Sequence, residues 1–119
     1  RFPAGKVNLS TNLLAYGALV SAGHLSQALG DSQQAAVQQR KAAALRSAIH
    51  RYFAAEVEGF ATYRYYEGNT KLRAWIALPL VMGFHEQKAG TLAALVVATT
   101  PVPVVALDIF TQLALPAVN

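Results

Sequence analysis

The sequence predicts an all-α fold of antiparallel helical hairpins, and three observations carry that reading. Hydrophobic residues make up 54% of the 119 positions, enough to bury a core in a chain of single-domain size. Much of that apolar content is alanine, which favours closely packed helices over sheets. Apolar positions then recur at helical spacing on both sides of a Gly30-Asp31 turn signal.

Pro3 and Gly5 oppose regular structure in residues 1–9. Asn8 or Ser10 is placed to cap the first helix by accepting orphan backbone N–H groups. From Thr11 onward Leu13, Tyr16 and Val20, and then Leu14, Leu25 and Leu29, keep the helical period. Gly17 and Gly23 each cost up to ~1 kcal/mol against alanine, so close approach of a neighbouring helix is expected there. Gly30 is read as the left-handed C-terminal cap, and Asp31 with Gln34 as a capping-box variant opening the second helix. Val37, Ala42, Leu45, Ile49, Tyr52 and Phe53 lie on one side of that helix. So short a link makes the two helices, from about Ser10 to Phe53, antiparallel neighbours.

Glu56 and Glu58 are read as a solvated helix end before Gly59. Phe60 to Tyr66 is aromatic and β-branched, which suits a short extended segment. After a Glu67-Gly68-Asn69 turn, Asn69 or Thr70 is expected to start a third, buried helix through Leu72, Trp75, Ile76, Leu78 and Leu80. Pro79 should kink or bound it, Gly83 close it, and Glu86 to Leu95 form a fourth helix. Residues 1–95 are thus expected to hold two helical hairpins. Val96 to Asn119 has a single charge, Asp108, and prolines at 101, 103 and 116. The prolines interrupt it before a membrane span of about twenty residues accumulates, and a loop with a short helix near Val104 to Leu115 is expected instead.

Several function classes fall away on composition. The formal charge of +4 is spread over scattered arginines and lysines, without the clustering of a nucleic-acid surface. With no cysteine, disulfides and thiolate metal sites are excluded. His85-Glu86 begins like a zinc-protease motif, but Ala89 stands where the second histidine belongs. No glycine-rich phosphate loop or Gly-x-Ser-x-Gly elbow occurs, and no metal or cofactor is expected.

The dense polar–aromatic stretch is Tyr63 to Trp75, where Tyr65, Tyr66, Glu67, Asn69, Arg73 and Trp75 fall within eleven residues. Sugars present C–H faces to aromatic rings and hydroxyls to carboxylate, amide and guanidinium groups, and this stretch supplies each of these. Glu67, in the turn beside Gly68, is the candidate acid or base. The bland alternative is an aromatic wedge between helical pairs, with Glu67 exposed and Arg73 in a surface ion pair. Glycoside hydrolysis needs two carboxyl groups about 5–10 Å apart. Glu56 and Glu58 do not form such a pair, so the chain alone is not expected to be a complete glycosidase.

Asn12-Leu13-Leu14-Ala15-Tyr16-Gly17-Ala18-Leu19, Ala28-Leu29-Gly30-Asp31 and Ala44-Leu45-Arg46-Ser47-Ala48-Ile49 together resemble the hairpins of the six-hairpin glycosidases. Gly59-Phe60 to Tyr66 and Leu78-Pro79-Leu80-Val81-Met82-Gly83-Phe84 resemble that clan's passage into its next hairpin. The resemblance runs from about Val7 to Leu95. It implies about two hairpins of an (α/α)6 toroid of a bacterial carbohydrate-active hydrolase, periplasmic or secreted, whose remaining helices come from a longer parent chain. It also implies an oligo- or polysaccharide substrate in a central cleft lined by Tyr65, Tyr66, Glu67, Asn69, Arg73 and Trp75. It assigns no acid or base, so Glu67 stands as the catalytic candidate on its place in the turn alone, with the other five as substrate-binding candidates. The tail beyond Leu95 departs from the clan's pattern, as truncation or an altered reading frame would produce. The competing expectations are a non-enzymatic helical-hairpin module binding a protein partner and a membrane-peripheral protein using the apolar tail. The aromatic stretch discriminates. Convergence of Tyr65, Tyr66 and Trp75 with Glu67 on an open concavity favours sugar, and complete burial removes that support.

Overall fold

A computed structural model describes residues 7–98. Two long helices, α1 (Leu9–Ala28) and α2 (Ser32–Phe53), form the expected antiparallel hairpin. Asn8 caps α1, its Oδ1 accepting the Thr11 N–H at 2.9 Å. At the other end Gly30 takes φ 82°, the Gly30 N–H donates to the Gln27 carbonyl, and the Asp31 N–H donates to the Ser26 carbonyl. That pair of bonds is a Schellman motif. Asp31 then accepts the Gln34 N–H at 2.9 Å and starts α2. Because the Asp31 N–H is already engaged with Ser26, only the forward half of the expected capping box forms.

The expected all-α class needs a correction at the end of α2. The helix stops at Phe53, and Ala54–Val57 (β1) pairs antiparallel with Phe60–Tyr63 (β2), Ala54 opposite Tyr63 and Val57 opposite Phe60. Glu58 and Gly59, with φ 51° and 85°, make the two-residue turn of positive φ that matches strand twist. Glu56 and Glu58 therefore belong to a β-hairpin, not to a helix end. Extended pairing prevails although alanine and glutamate prefer helix, because β1 carries Val57 into the core, 2% exposed.

The second helical hairpin is also different. No helix starts at Asn69 or Thr70. A single 3-10 turn, Ala74–Ala77, runs into a one-turn helix α3 (Leu78–Val81). Pro79 sits in the first turn of α3, where its missing N–H has no cost, so it opens a helix instead of kinking one. A second Schellman motif closes α3, with Gly83 at φ 84° and the Phe84 N–H donating to the Pro79 carbonyl at 2.7 Å. The last helix, α4 (Lys88–Ala98), starts two residues after Glu86 and runs past Leu95 through Val96 and Val97. The helix expected near Val104 to Leu115 lies outside the described residues. Among the described residues no helix is long and apolar enough to cross a membrane.

Two apolar clusters hold these elements. The larger joins Leu9 and Leu13 of α1 with Ile49 and Phe53 of α2, and adds Tyr63, Tyr65 and Phe84. The smaller sets Ile76 against Ala94 and Leu95 of α4. Between them α4 lies on β2 at Gly90, where any side chain would run into the Ala61 carbonyl. Beside that contact the buried Thr62 and Thr91 hydroxyls bond each other at 2.6 Å.

Candidate functional site: a cleft at the end of α2

The strand that follows α2 returns the chain to the helix end it has just left. The Arg64 N–H donates to the Phe53 carbonyl at 2.8 Å, and Arg64 Nε donates to the Tyr52 carbonyl at 3.0 Å. The guanidinium lies 5.0 Å from the centre of the Tyr52 ring. A cation here satisfies a carbonyl at the negative end of the α2 dipole and stacks on an aromatic face. One residue on, the Leu9 N–H donates to the Tyr65 carbonyl at 2.8 Å, and Asn8 bridges to Tyr66. The start of α1, the end of α2 and the loop carrying Glu67 are thereby brought together.

They enclose a cleft of about 570 Å³, within the usual size range of small-ligand sites. Its polar lining is Asn12, Arg51, Tyr52, Arg64 and Glu67, over an apolar floor of Leu45, Ile49 and Phe53. Tyr52 donates its hydroxyl to Glu67 Oε2 at 3.5 Å, the long limit of a hydrogen bond. Glu67 is exposed. The cleft therefore offers one carboxylate, one phenol, one amide and two guanidinium groups beside an apolar surface.

Of the six residues singled out in the sequence, Glu67 is the one among this lining. Tyr65 is buried at 3% exposure, its N–H donating to Asn69 Oδ1 at 3.0 Å and its hydroxyl 3.0 Å from Ser10 Oγ. Asn69, which accepts that bond, is buried as well. Tyr66 is half-buried, with its ring 6.2 Å from that of Tyr65. Trp75 stacks on Tyr65 with ring centres 6.3 Å apart, yet remains 50% exposed. Arg73 is exposed ahead of the 3-10 turn, and its side chain makes no cap there. Complete burial and full convergence thus both fail, because the stretch divides into an aromatic stack and a separate carboxylate.

Sequence reasoning passed over Asn12, Arg51 and Tyr52. Tyr52 reads as a core residue by its spacing, and it does pack against the larger cluster while its hydroxyl faces Glu67. The signal that was there is a Tyr and an Arg in the last turn of a helix, with a strand pair short enough to bring Arg64 back beside them.

A second polar group joins α2 to the segment between α3 and α4. Arg46 pairs with Glu86 at 2.8 Å, donates to the Gly83 carbonyl at 3.1 Å, and lies 4.2 Å above the Phe84 ring. Burial alone would raise the Glu86 carboxyl. Its own backbone N–H, Arg46 and the charge of His50 outweigh that and hold it below the usual range. His50 Nδ1 lies 3.3 Å from the Tyr63 hydroxyl, whose pKa is pushed up to about 12 by burial and by the Glu86 charge. These contacts tie α2 to the segment that precedes α4. Among the described residues no cluster of His, Asp or Glu is arranged to hold a metal ion.

Glycosidase chemistry needs a second carboxyl group. Asp31 caps α2, Glu58 accepts the Leu72 N–H at 2.7 Å, and Glu86 is paired with Arg46. Glu56 lies exposed on β1. None of the four lines the Glu67 cleft. Comparison of the chain with protein-family models, with curated proteins and with solved structures gives no match.

Proposed function

We propose that the chain is part of a carbohydrate-active glycoside hydrolase domain, and that the cleft at the end of α2 contacts the sugar. The observation that carries this is the joining of the Glu67 carboxylate and Tyr52 hydroxyl with Arg51, Arg64 and Asn12 over an apolar floor. Sugar hydroxyls pair with such carboxylate, amide and guanidinium groups, and C–H faces lie on such a floor. The resemblance of the hairpins to six-hairpin glycosidases points the same way. In this reading the second carboxylate comes from another part of the toroid, and this chain binds without completing hydrolysis.

Titration of the chain with oligosaccharides, followed by ligand-detected NMR, tests it. Glu67→Gln removes a charged acceptor worth about 1.5–3 kcal/mol, so affinity falls roughly 10- to 100-fold. Tyr52→Phe costs about 1 kcal/mol, or several-fold. A wild-type chain that binds no glycan, or a Glu67→Gln variant that binds as well as wild type, overturns the proposal.

A second reading, a helical-hairpin module that binds protein, has its own support. Leu14, Leu25 and Leu29 of α1 are 64%, 62% and 77% exposed. Leucines that are core-facing in an ordinary two-helix hairpin here face outward.

A further inference from the structure

Helix α1 carries two packing seams, and the hairpin uses one. Leu9, Leu13 and Gly23 are buried, with Tyr16 and Val20 between them half-buried, and this seam faces the rest of the molecule. On the opposite side Thr11, Leu14, Ala18, Ser21, Leu25 and Ala28 are all exposed. Their spacing alternates three and four residues throughout, the heptad rhythm of a helix that packs along a partner helix. None of the six is charged, and no Asp, Glu, Lys or Arg occurs anywhere from Leu9 to Ala28.

We propose that this outer seam of α1 is a self-association surface, on which the α1 helices of two copies pack antiparallel about a two-fold axis. The seam is its own complement in that arrangement. An axis between Ala18 and Ser21 sets Leu14 against the other copy's Leu25, Ala18 against its Ser21, and Thr11 against its Ala28. Each layer pairs a and d positions, as antiparallel coiled coils do. The two leucine layers flank a centre of small residues that lets the backbones approach. Absence of charge matters equally, because a basic chain of net +4 meets itself here without like-charge repulsion. A charged partner finds no complement on this face. Opposed helix dipoles favour the antiparallel over the parallel pair. The inference names a partner for the protein-binding reading and is independent of whether the cleft binds sugar.

Because the chain has no cysteine, single substitutions report the geometry directly. In an antiparallel pair the two copies of position 14 lie eleven residues apart along the axis, about 16 Å. A disulfide needs Cα atoms within about 7 Å. Mild oxidation should therefore cross-link an equimolar mixture of Leu14→Cys and Leu25→Cys chains into a mixed disulfide, and leave either variant alone without a cross-link. Gln33→Cys, at the start of α2, serves as the control and should not cross-link. By sedimentation equilibrium the wild-type chain should move from single towards doubled mass as its concentration is raised. Ala18→Lys should remain monomeric with unchanged helical circular dichroism. A monomeric wild type with no mixed disulfide overturns the proposal and leaves glycan titration of the cleft unaffected. Cross-linking of Leu14→Cys to itself overturns it too, since that is the parallel pair.

Discussion

Gly90 is held where α4 meets β2, and the Ala61 carbonyl occupies the space a side chain would need. The obstacle is backbone, which cannot rotate away, so Gly90→Ala must push α4 off the sheet and strain the Thr62–Thr91 hydroxyl pair. Overpacking of this kind costs about 1–3 kcal/mol or more. Gly17 is the instructive contrast. A methyl group there meets only the tip of Met82, a flexible side chain that can move. Relief of the glycine helix penalty, up to ~1 kcal/mol, then offsets the contact. Urea denaturation should show Gly90→Ala clearly destabilised and Gly17→Ala within about 1 kcal/mol of wild type. Asn69 gives a second residue-scale prediction. Its Oδ1 is the partner of the buried Tyr65 N–H, so Asn69→Ala strands that donor at a cost of about 1–3 kcal/mol. The same variant should leave glycan affinity unchanged per folded molecule, because Asn69 does not line the cleft.

Among the elements, the α1–α2 hairpin was legible because its signals are local. Asn8, Gly30 and Asp31 each act within a few residues of their own position, and each does what its side chain or φ angle dictates. The β-hairpin was half legible. Phe60–Tyr63 shows its aromatic and β-branched character, whereas Ala54–Val57 has helix-forming composition and becomes strand only through its partner. The third helix failed for a related reason. An apolar run with no polar face looks the same whether it is a buried helix or a 3-10 turn and loop folded over a core, and here Ile76 is carried into the smaller cluster by the latter. The Arg46–Glu86 contact ties two elements 40 residues apart and makes stability depend on pH. The Glu86 carboxyl is lowered in the folded chain, so its contribution is complete above the ordinary carboxylate value of 4.5 and lost as pH falls through the lowered value. With both groups partly exposed, solvent screening keeps it to about 1 kcal/mol or less. Comparing wild type with Glu86→Gln by denaturation, the difference should be present at pH 7 and shrink in acid. Tyr63 has the opposite sign. Its raised value stabilises the fold fully below pH 10, and that contribution is lost as pH rises towards about 12.

For the whole molecule, the arrangement of the cleft decides what Glu67 can be. Six candidate residues lie close in sequence, but folding sends Tyr65 and Asn69 inward and stacks Trp75 on Tyr65, which leaves the carboxylate with partners from α2. Sequence proximity therefore pointed to the carboxylate and not to its company, since Arg51 and Tyr52 share its cleft only when β1 and β2 fold the chain back. A lone carboxylate beside a phenol and two guanidinium groups serves either of two roles in a glycosidase. It can hold a sugar hydroxyl, or it can move a proton while a second carboxylate elsewhere in the ring completes the pair. On the proposed glycosidase reading, the two roles separate kinetically in any enzyme that holds the complete carboxylate pair. If Glu67 is the proton-transfer group, Glu67→Gln lowers kcat by about 10²–10⁴ with little change in KM. If it only holds a hydroxyl equally in ground and transition states, KM rises and kcat stays, with about 1.5–3 kcal/mol lost from binding. The exposed position of Glu67 and its long bond to Tyr52 favour the second outcome, because the carboxylate stands open as an acceptor for a sugar hydroxyl. A kcat loss with unchanged KM would instead make Glu67 one of the catalytic pair.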